Sequence, residues 1–251
     1  MNEEAHWNGI ATRYEEEIFD VFSSDKHKKL PAYFNKYANP FHTAIDFGCG
    51  VGKALRYLSP LFQKVIGTDI SAECIAIAKT KPFSNVAFKR ADLTRKGLRF
   101  PPADFGFCCN VVMLPEIEKN LEMLRNIRNS LVPGGTAVLV LPSLESILLA
   151  TARMLEWYRK EGTPANKVPD SEFSYYKSSK RDIVQGLITI QGVPTKHYLE
   201  SEIKVLFANA KLSIIAIDRI EYEWGTEFSD PPSWMKDPYP WDWLVECRGE
   251  G

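Results

Sequence analysis

Between residues 43 and 142, short apolar runs and helix-like segments alternate with almost no slack. "HTAIDFG" is followed by "GKALRYLSPLF" and "QKVIGTDI" by "SAECIAIAKTK", while "NVAFKRADL" leads to the continuous apolar run "DFGFCCNVVML". The segment "PEIEKNLEMLRNIRNSLVPGG" repeats Ile117, Leu121, Leu124, Ile127 and Leu131 along one helical face, and "TAVLVLP" adds another strand-like run. Apolar runs of this length, bounded by turn residues, read as strands buried on both faces. Parallel neighbours of this kind need a helix to carry the chain back between them. The pattern predicts a doubly wound α/β fold, a mostly parallel sheet with helices on both faces. Local punctuation agrees: Ser71 stands at a helix N-cap, Pro115 at a first helical position, and Pro133-Gly134-Gly135 at a helix stop.

Outside this stretch the rhythm changes. Residues 8 to 37 read as helical, with Ile10, Tyr14, Ile18, Val21 and Phe22 at helical intervals before the interruption "SSDKHKK". From Ser143 to about Thr195 come a helix rich in aromatic residues, a polar loop containing prolines, and "IVQGLITIQGV", a strand or pair of strands. "HYLESEIKVLFANA" then reads as a helix, followed by two strands, "KLSIIAIDRIEYEW" and "YPWDWLVECR". The expected organisation is one domain: a helical lid over 1–42, a core over 43–142, an insertion over 143–195, and completion of the sheet over 196–251.

Thirty-one lysines and arginines against 32 acids leave a net charge of −1, which offers no global attraction to nucleic acid or anionic membrane. No apolar stretch is long enough for a membrane span, and "MNEEAHWNGI" lacks the basic-then-apolar order of a signal peptide; the expectation is a cytoplasmic protein. The five cysteines are odd in number and lie mostly in apolar runs, so free buried thiols are expected. No Cys/His set has metal-ligand spacing.

The loop after the first strand, "AIDFGCGVGKAL", has glycines at 48, 50 and 52. Each glycine in a regular element costs roughly 0.5–1 kcal/mol relative to alanine, so three of them imply close approach to the backbone. A dinucleotide fingerprint would place its third glycine at position 53, which is Lys53. A phosphate-binding loop would need G-K-[ST], and Asp46 would repel phosphate. Asp46 suits a ligand that is cationic at this end. Asp69, seventeen positions after Gly52 and closing "VIGTD", is placed to accept from ribose hydroxyls. Asp92, closing "FKRADL", is placed to accept from an exocyclic amine. Three strand ends thus describe a ligand with a cationic head, a ribose and an aminopurine, without phosphate.

With these segments in order, "AIDFGCGVG", "VIGTDIS", "FKRADL", "FGFCCNVVML" and "LVPGGTAVLVLP", the chain resembles the class I S-adenosylmethionine-dependent methyltransferases of the small-molecule type. The resemblance implies S-adenosyl-L-methionine as cofactor and a seven-stranded sheet whose last strand is antiparallel, with an insertion after strand five. It implies cofactor contacts from Asp46, Gly48, Cys49, Gly50 and Gly52, ribose contacts around Asp69 and Ile70, and adenine contacts from Asp92 and Leu93. It also implies that Asn110 and Val111 line the pocket near the sulfonium, and that Trp7 and Tyr14 close over it from "HWNGIATRYEEEI", which resembles an N-terminal lid. The expected partner is a small-molecule methyl acceptor. Nucleic acid is disfavoured because "CNVVML" lacks the Asn/Asp-Pro-Pro-aromatic loop of many exocyclic-amine methyltransferases. A binding subunit without catalysis, or action on protein or RNA, is the alternative.

Other candidates are plainer. Cys108 and Cys109 lie in an apolar run and read as core. Of the four scattered histidines, His197 lies toward the expected substrate side and is the one candidate base, although a surface or capping role is the simpler reading. Trp157, Tyr158, Tyr175 and Tyr176 in the insertion either wall a substrate pocket or form the insertion's own core.

Overall fold

The computed structural model describes residues 3–176, 182–190 and 192–249. In chain order its elements are α1 (Glu3–Ile10), α2 (Tyr14–Glu17), α3 (Val21–Ser24), α4 (Lys29–Tyr37), β1 (Asn39–Phe47), α5 (Leu55–Leu58), β2 (Phe62–Asp69), α6 (Ala72–Lys79), β3 (Val86–Arg90), β4 (Ala103–Cys109) and α7 (Ile117–Asn129). They continue with β5 (Leu131–Pro142), α8 (Leu144–Lys160), α9 (Asp182–Gln185), β6 (Leu187–Ile190), β7 (Val193–Lys196), α10 (Glu200–Asn209), β8 (Leu212–Glu221) and β9 (Trp241–Gly249).

The main sheet has seven strands in the order β3-β2-β1-β4-β5-β9-β8. Strands β1 to β5 pair in parallel, and β9 runs antiparallel to both β5 and β8, as the sequence predicts. The strand order reverses between β2–β1 and β4, so the carboxyl ends of β1 and β4 flank a natural crevice. The apolar runs serve two cores, one on each face of the sheet. Ile45, Phe47, Leu139 and Leu141 belong to one, and Ala44, Phe105, Val138 and Val140 to the other, so alternate residues of a strand enter opposite layers. Hydroxyl and carboxylate caps set the helix starts. Ser71 Oγ accepts the Cys74 N–H at 3.0 Å, Ser143 Oγ accepts the Ser146 N–H at 3.1 Å, and Asp20 accepts from Phe22 at 3.0 Å.

The structure departs from the sequence reading in several places. The N-terminal helical run is broken into four short helices, and the helix expected after the glycine loop is only the single turn α5. Helix α7 begins at Ile117 with Glu116 as its N-cap residue, so Pro115 precedes the helix. Pro133-Gly134-Gly135 lies inside β5, where the pairing with β4 skips from Leu131 to Thr136 and Gly134 takes φ +80°. The irregularity takes up the extra residues of β5, and α7 ends at Asn129 with Ser130 as its C-cap, just ahead of the strand.

The ambiguous run 183–193 begins in α9 and supplies β6 and the start of β7, which pair as a hairpin separate from the main sheet. It is held against the core where Tyr198 bridges Ser143: the Tyr198 N–H donates to Pro142 O at 2.9 Å, and the Leu144 N–H to Tyr198 O at 3.0 Å. All five cysteines are free, Cys109 being half-buried and the others buried. Among the described residues no helix is long and apolar enough to cross a membrane, and no cluster has the makings of a metal site.

Candidate active site

A cavity of about 690 Å³ opens at the carboxyl ends of β1, β4 and β5, within the roughly 300–1,000 Å³ range of small-molecule sites. The lid residues Trp7, Ile10 and Tyr14 form one wall. Asp46, Gly48, Cys49, Cys109 and Asn110 form the floor, and α8, the β6–β7 hairpin and the loop before β9 enclose the far end.

The floor is built from the end of β1. Asp46 is 2% exposed, and its Oδ2 has no hydrogen-bond partner. Burial first, and the neighbouring Asp69 second, push its carboxyl up to about 8. Gly48 and Gly50 take φ +74° and +50°, the left-handed region that excludes most side chains. A methyl group on Gly48 would overlap Val111 Cγ2, and one on Gly50 would meet Tyr14 Oη at 2.5 Å. Gly52, at φ +85°, faces Leu55 and Ala78 and serves packing.

The N–H groups of Gly48 and Cys49 both donate to Thr68 O, that of Gly50 to Asp69 Oδ2 at 2.8 Å, and that of Gly52 to Cys49 O. With the N–H groups of Gly48, Cys49, Gly50 and Gly52 bonded inward, the loop offers no phosphate cradle. Asp69 also accepts the Ser71 N–H at 2.8 Å. Burial raises its pKa, opposed by the N–H bonds from Ser71, Gly50 and Ile70. A carboxylate offers about four lone-pair sites, so with three N–H donors Asp69 keeps capacity for about one more.

Tyr14 covers this region. Its hydroxyl lies over Gly50, and its ring packs 6.3 Å from that of Trp7. The lid is pinned by Asn8 Oδ1, which accepts from Ser71 Oγ at 2.7 Å, by an ion pair between Glu4 and Arg90, and by Lys53 with Glu15 at 3.2 Å and Asp20 at 3.6 Å. Burial, aided by Asp69, raises the Tyr14 pKa well above that of a free phenol, so the hydroxyl stays neutral.

Of the other expected residues, Asn110 lines the cavity with φ +52°, its Nδ2 3.4 Å from Asp242 and its Oδ1 buried without a partner. Gly50, Gly52, Asp69, Ile70, Asp92, Leu93 and Val111 are not among the cavity walls in this lid position. Asp92 Oδ1 accepts the Thr94 N–H at 2.9 Å and its hydroxyl at 2.6 Å, so it caps its own loop, while Leu93 is packed in the core.

His197 is no surface histidine: it is 4% exposed and lines the cavity. Its Nδ1 lies 3.0 Å from Thr195 O, and since a carbonyl only accepts, Nδ1 carries the proton and Nε2 the lone pair. Burial pushes it down to about 4, so it is neutral near pH 7. Gly186, at φ +68°, lets the hairpin approach, since a Cβ there would collide with His197 O. Trp157 and Tyr158 line a side cavity of about 330 Å³ that shares Met154, Glu172, Glu227 and Phe228 with the main one. Trp157 also packs in the cluster around Trp224 and Met235. The side chains of Tyr175 and Tyr176 lie outside the described residues.

Sequence reading missed Asp242 and Glu227, which both line the cavity. Burial pushes Asp242 up to about 6; burial and then Asp242 push Glu227 up to about 7. Asp242 could have been flagged, since a carboxylate in the apolar strand "WDWLVEC", like Glu246 in the same strand, needs a partner. It is paired in register with Pro142, at the very end of β5. Glu227, in a polar loop, carries no local signal.

Residues 44–135 match the profile of a methyltransferase domain. The match spans the segment that carries the glycine loop, and the fold is the one seen in solved S-adenosylmethionine-dependent methyltransferases. Solved structures share the architecture across nearly the whole length. An S-adenosylmethionine-dependent methyltransferase from Anabaena variabilis superposes with TM-score 0.65 at 17% identity, covering 98% of this chain and 93% of that one. A chain solved in complex with the Haloferax volcanii Trm112 methyltransferase activator gives 0.63 at 15% identity, covering 100% and 99%. DhpI, solved in a complex described as DhpI-SAM-HEP, gives 0.61 at 16% identity, covering 97% and 94%. No curated protein matches the sequence significantly.

Proposed function

We propose that this enzyme methylates a small molecule held in the 690 Å³ cavity, with the cofactor seated on the glycine loop beneath the lid. The observation that carries the cofactor placement is Asp46: a buried carboxylate oxygen without a partner, at the floor of a cavity beside Gly48 and beneath Tyr14, which packs over Gly50. The seat fits a ligand bearing an ammonium group for Asp46 and a ribose hydroxyl for Asp69. Asp92 and Leu93 remain the candidates for the adenine edge, and there Asp92 would have to share its carboxylate with Thr94. The lid in its present position screens Gly50 and Asp69, so Tyr14 and Trp7 swing out to admit the cofactor and return to exclude water.

S-adenosylmethionine supplies a methyl group on a sulfonium whose thioether is already a good leaving group. The chain's own work is to hold the acceptor in line, at contact distances of about 3–3.5 Å, and to keep water away. His197 Nε2 accepts a hydrogen bond from an acceptor O–H or N–H and so orients the acceptor's lone pair toward the methyl group. The volume of the cavity, within the range of small-molecule sites, favours a small acceptor over a macromolecule. Equilibrium binding of S-adenosylhomocysteine tests the seat: the wild type binds, and Asp69→Ala loses binding at least 30-fold. An intact protein with no detectable binding would end the reading. Incubation with methyl-labelled cofactor and a metabolite extract tests turnover, and label appearing only in protein or RNA would overturn the small-molecule assignment.

A further inference from the structure

The hairpin side of the cavity is lined by Met113, Ile188, Val193 and His197. Backbone bonds pin the segment that carries the imidazole. The Lys196 N–H donates to Met113 O at 2.8 Å, the His197 N–H to Gly186 O at 2.7 Å, and the Tyr198 N–H to Pro142 O at 2.9 Å. Met113 follows the carboxyl end of β4 and Pro142 closes β5, so the ring is fixed at the mouth of the crevice that also holds the glycine loop.

Nδ1 is spent on Thr195 O, which leaves Nε2 as a lone-pair acceptor with no partner among the described residues. The side chain is more than nine-tenths buried, yet Nε2 is not covered over as the Trp241 indole nitrogen is. An acceptor left unpaired in such a place loses its hydration without return, and a ligand donor aimed at it recovers the loss.

The charges nearby select the donor. Lys196, next along the chain, is held by Glu202 at 2.6 Å and by Gln185 O at 2.7 Å, and Lys53, on the lid side, is engaged by Glu15 and Asp20. A carboxylate or phosphate therefore meets no unengaged lysine or arginine among the described cavity walls, and Asp242 on the same cavity repels it. A basic amine fails differently: as its ammonium ion it has no lone pair for the methyl group, and an imidazole weakened by burial does not remove the proton. An uncharged hydroxyl has both a proton for Nε2 and lone pairs to spare.

We propose that the methyl acceptor is an uncharged hydroxy compound with an apolar body, which donates its O–H to His197 Nε2 and packs against Met113, Ile188 and Val193. The assignment rests on the reading of this cavity as the acceptor chamber. On transfer an oxygen lone pair forms the O–CH3 bond as the S–CH3 bond breaks, and the electron pair of the broken bond stays on sulfur. The oxonium so formed, far more acidic than an imidazolium, gives up its proton along the hydrogen bond to Nε2.

Equilibrium dialysis of the full chain against 2-naphthol, 2-methoxynaphthalene and 2-naphthoate, with and without S-adenosylhomocysteine, tests the proposal. The naphthol is expected to bind about tenfold or more tighter than its methyl ether or the acid, because both leave Nε2 without a donor. His197→Phe, which fills the space without an acceptor, is expected to bring naphthol and ether within about threefold, whereas His197→Gln, which restores a neutral acceptor, keeps a larger preference. A role in packing alone would not separate the two variants in this way. Equal binding of naphthol and ether by the wild type, a result that needs no variant to fold, would overturn the proposal, as would a preference that survives His197→Phe. Failure of S-adenosylhomocysteine to bind the wild type would strike the cofactor seat instead, and the hydroxyl preference is still read in the arm without it.

Discussion

Asp46→Asn is the most informative perturbation, because the structure fixes both the sign and the scale of its effect. In the unfolded chain the carboxyl ionises around 3.8, whereas burial and Asp69 hold it up to about 8 in the folded protein. Between those values the folded state keeps a proton that the unfolded state has released, so stability falls as pH rises. Below about pH 4 the residue contributes no penalty, and above about pH 8 it contributes all of it. At about 1.36 kcal/mol per pK unit the gap sets a ceiling of about 6 kcal/mol. Effective dielectrics near 20 at buried sites, and water in the adjoining cavity, reduce this to about 2–3 kcal/mol. Asparagine has the same shape and no charge. Urea unfolding at pH 5, 7 and 9 should therefore show the ligand-free wild type losing about 2–3 kcal/mol more than Asp46→Asn across the range, with the variant the more stable at pH 9. The same variant should bind S-adenosylhomocysteine at least tenfold more weakly, since the ammonium loses its counter-ion. Parallel pH profiles for the two proteins would refute the reasoning, because a solvated or compensated Asp46 would show no such difference.

His197 has the opposite sign. Its folded pKa of about 4 lies below the ordinary 6.5, so the unfolded state binds the extra proton and stability falls as pH drops from about 6.5 to 4. His197→Gln should flatten that limb by about 2 kcal/mol in urea melts. Gly50→Ala places a methyl in a left-handed conformation and 2.5 Å from Tyr14 Oη, so thermal melts should show a loss of about 1–2 kcal/mol, and protease sensitivity of the lid should rise. Glu246 is 1% exposed and is bonded by Lys36 at 2.7 Å and by the Tyr37 hydroxyl. Lys36→Met leaves that carboxylate with a neutral partner only and should cost about 2–3 kcal/mol, measurable in denaturant without change in cofactor binding.

The alternation of apolar runs with helical segments was sufficient for a doubly wound, mostly parallel sheet, because burial on both faces and short loops admit few topologies, whereas the antiparallel last strand came from the family resemblance and the strand order from the fold. The glycines at 48, 50 and 52 and the acids at the strand ends were equally legible, since each sits within a few residues of a strand terminus and so has its place fixed by local geometry. Folding decided what distant segments do to one another. Tyr14 and Gly50 are 36 positions apart, yet the lid lays one on the other. Asp242 reaches the cavity because β9 pairs with β5 in a register that sets it opposite Pro142, and Glu227 becomes a cavity wall through the loop preceding β9. His197 changes from an unremarkable polar residue to a buried, neutral acceptor because the β6–β7 hairpin and the Ser143–Tyr198 bridge enclose it. Burial and like-charge proximity depend on the whole fold, so the proton affinities of Asp46, Asp242 and Glu227 have no signature in the residues beside them along the chain.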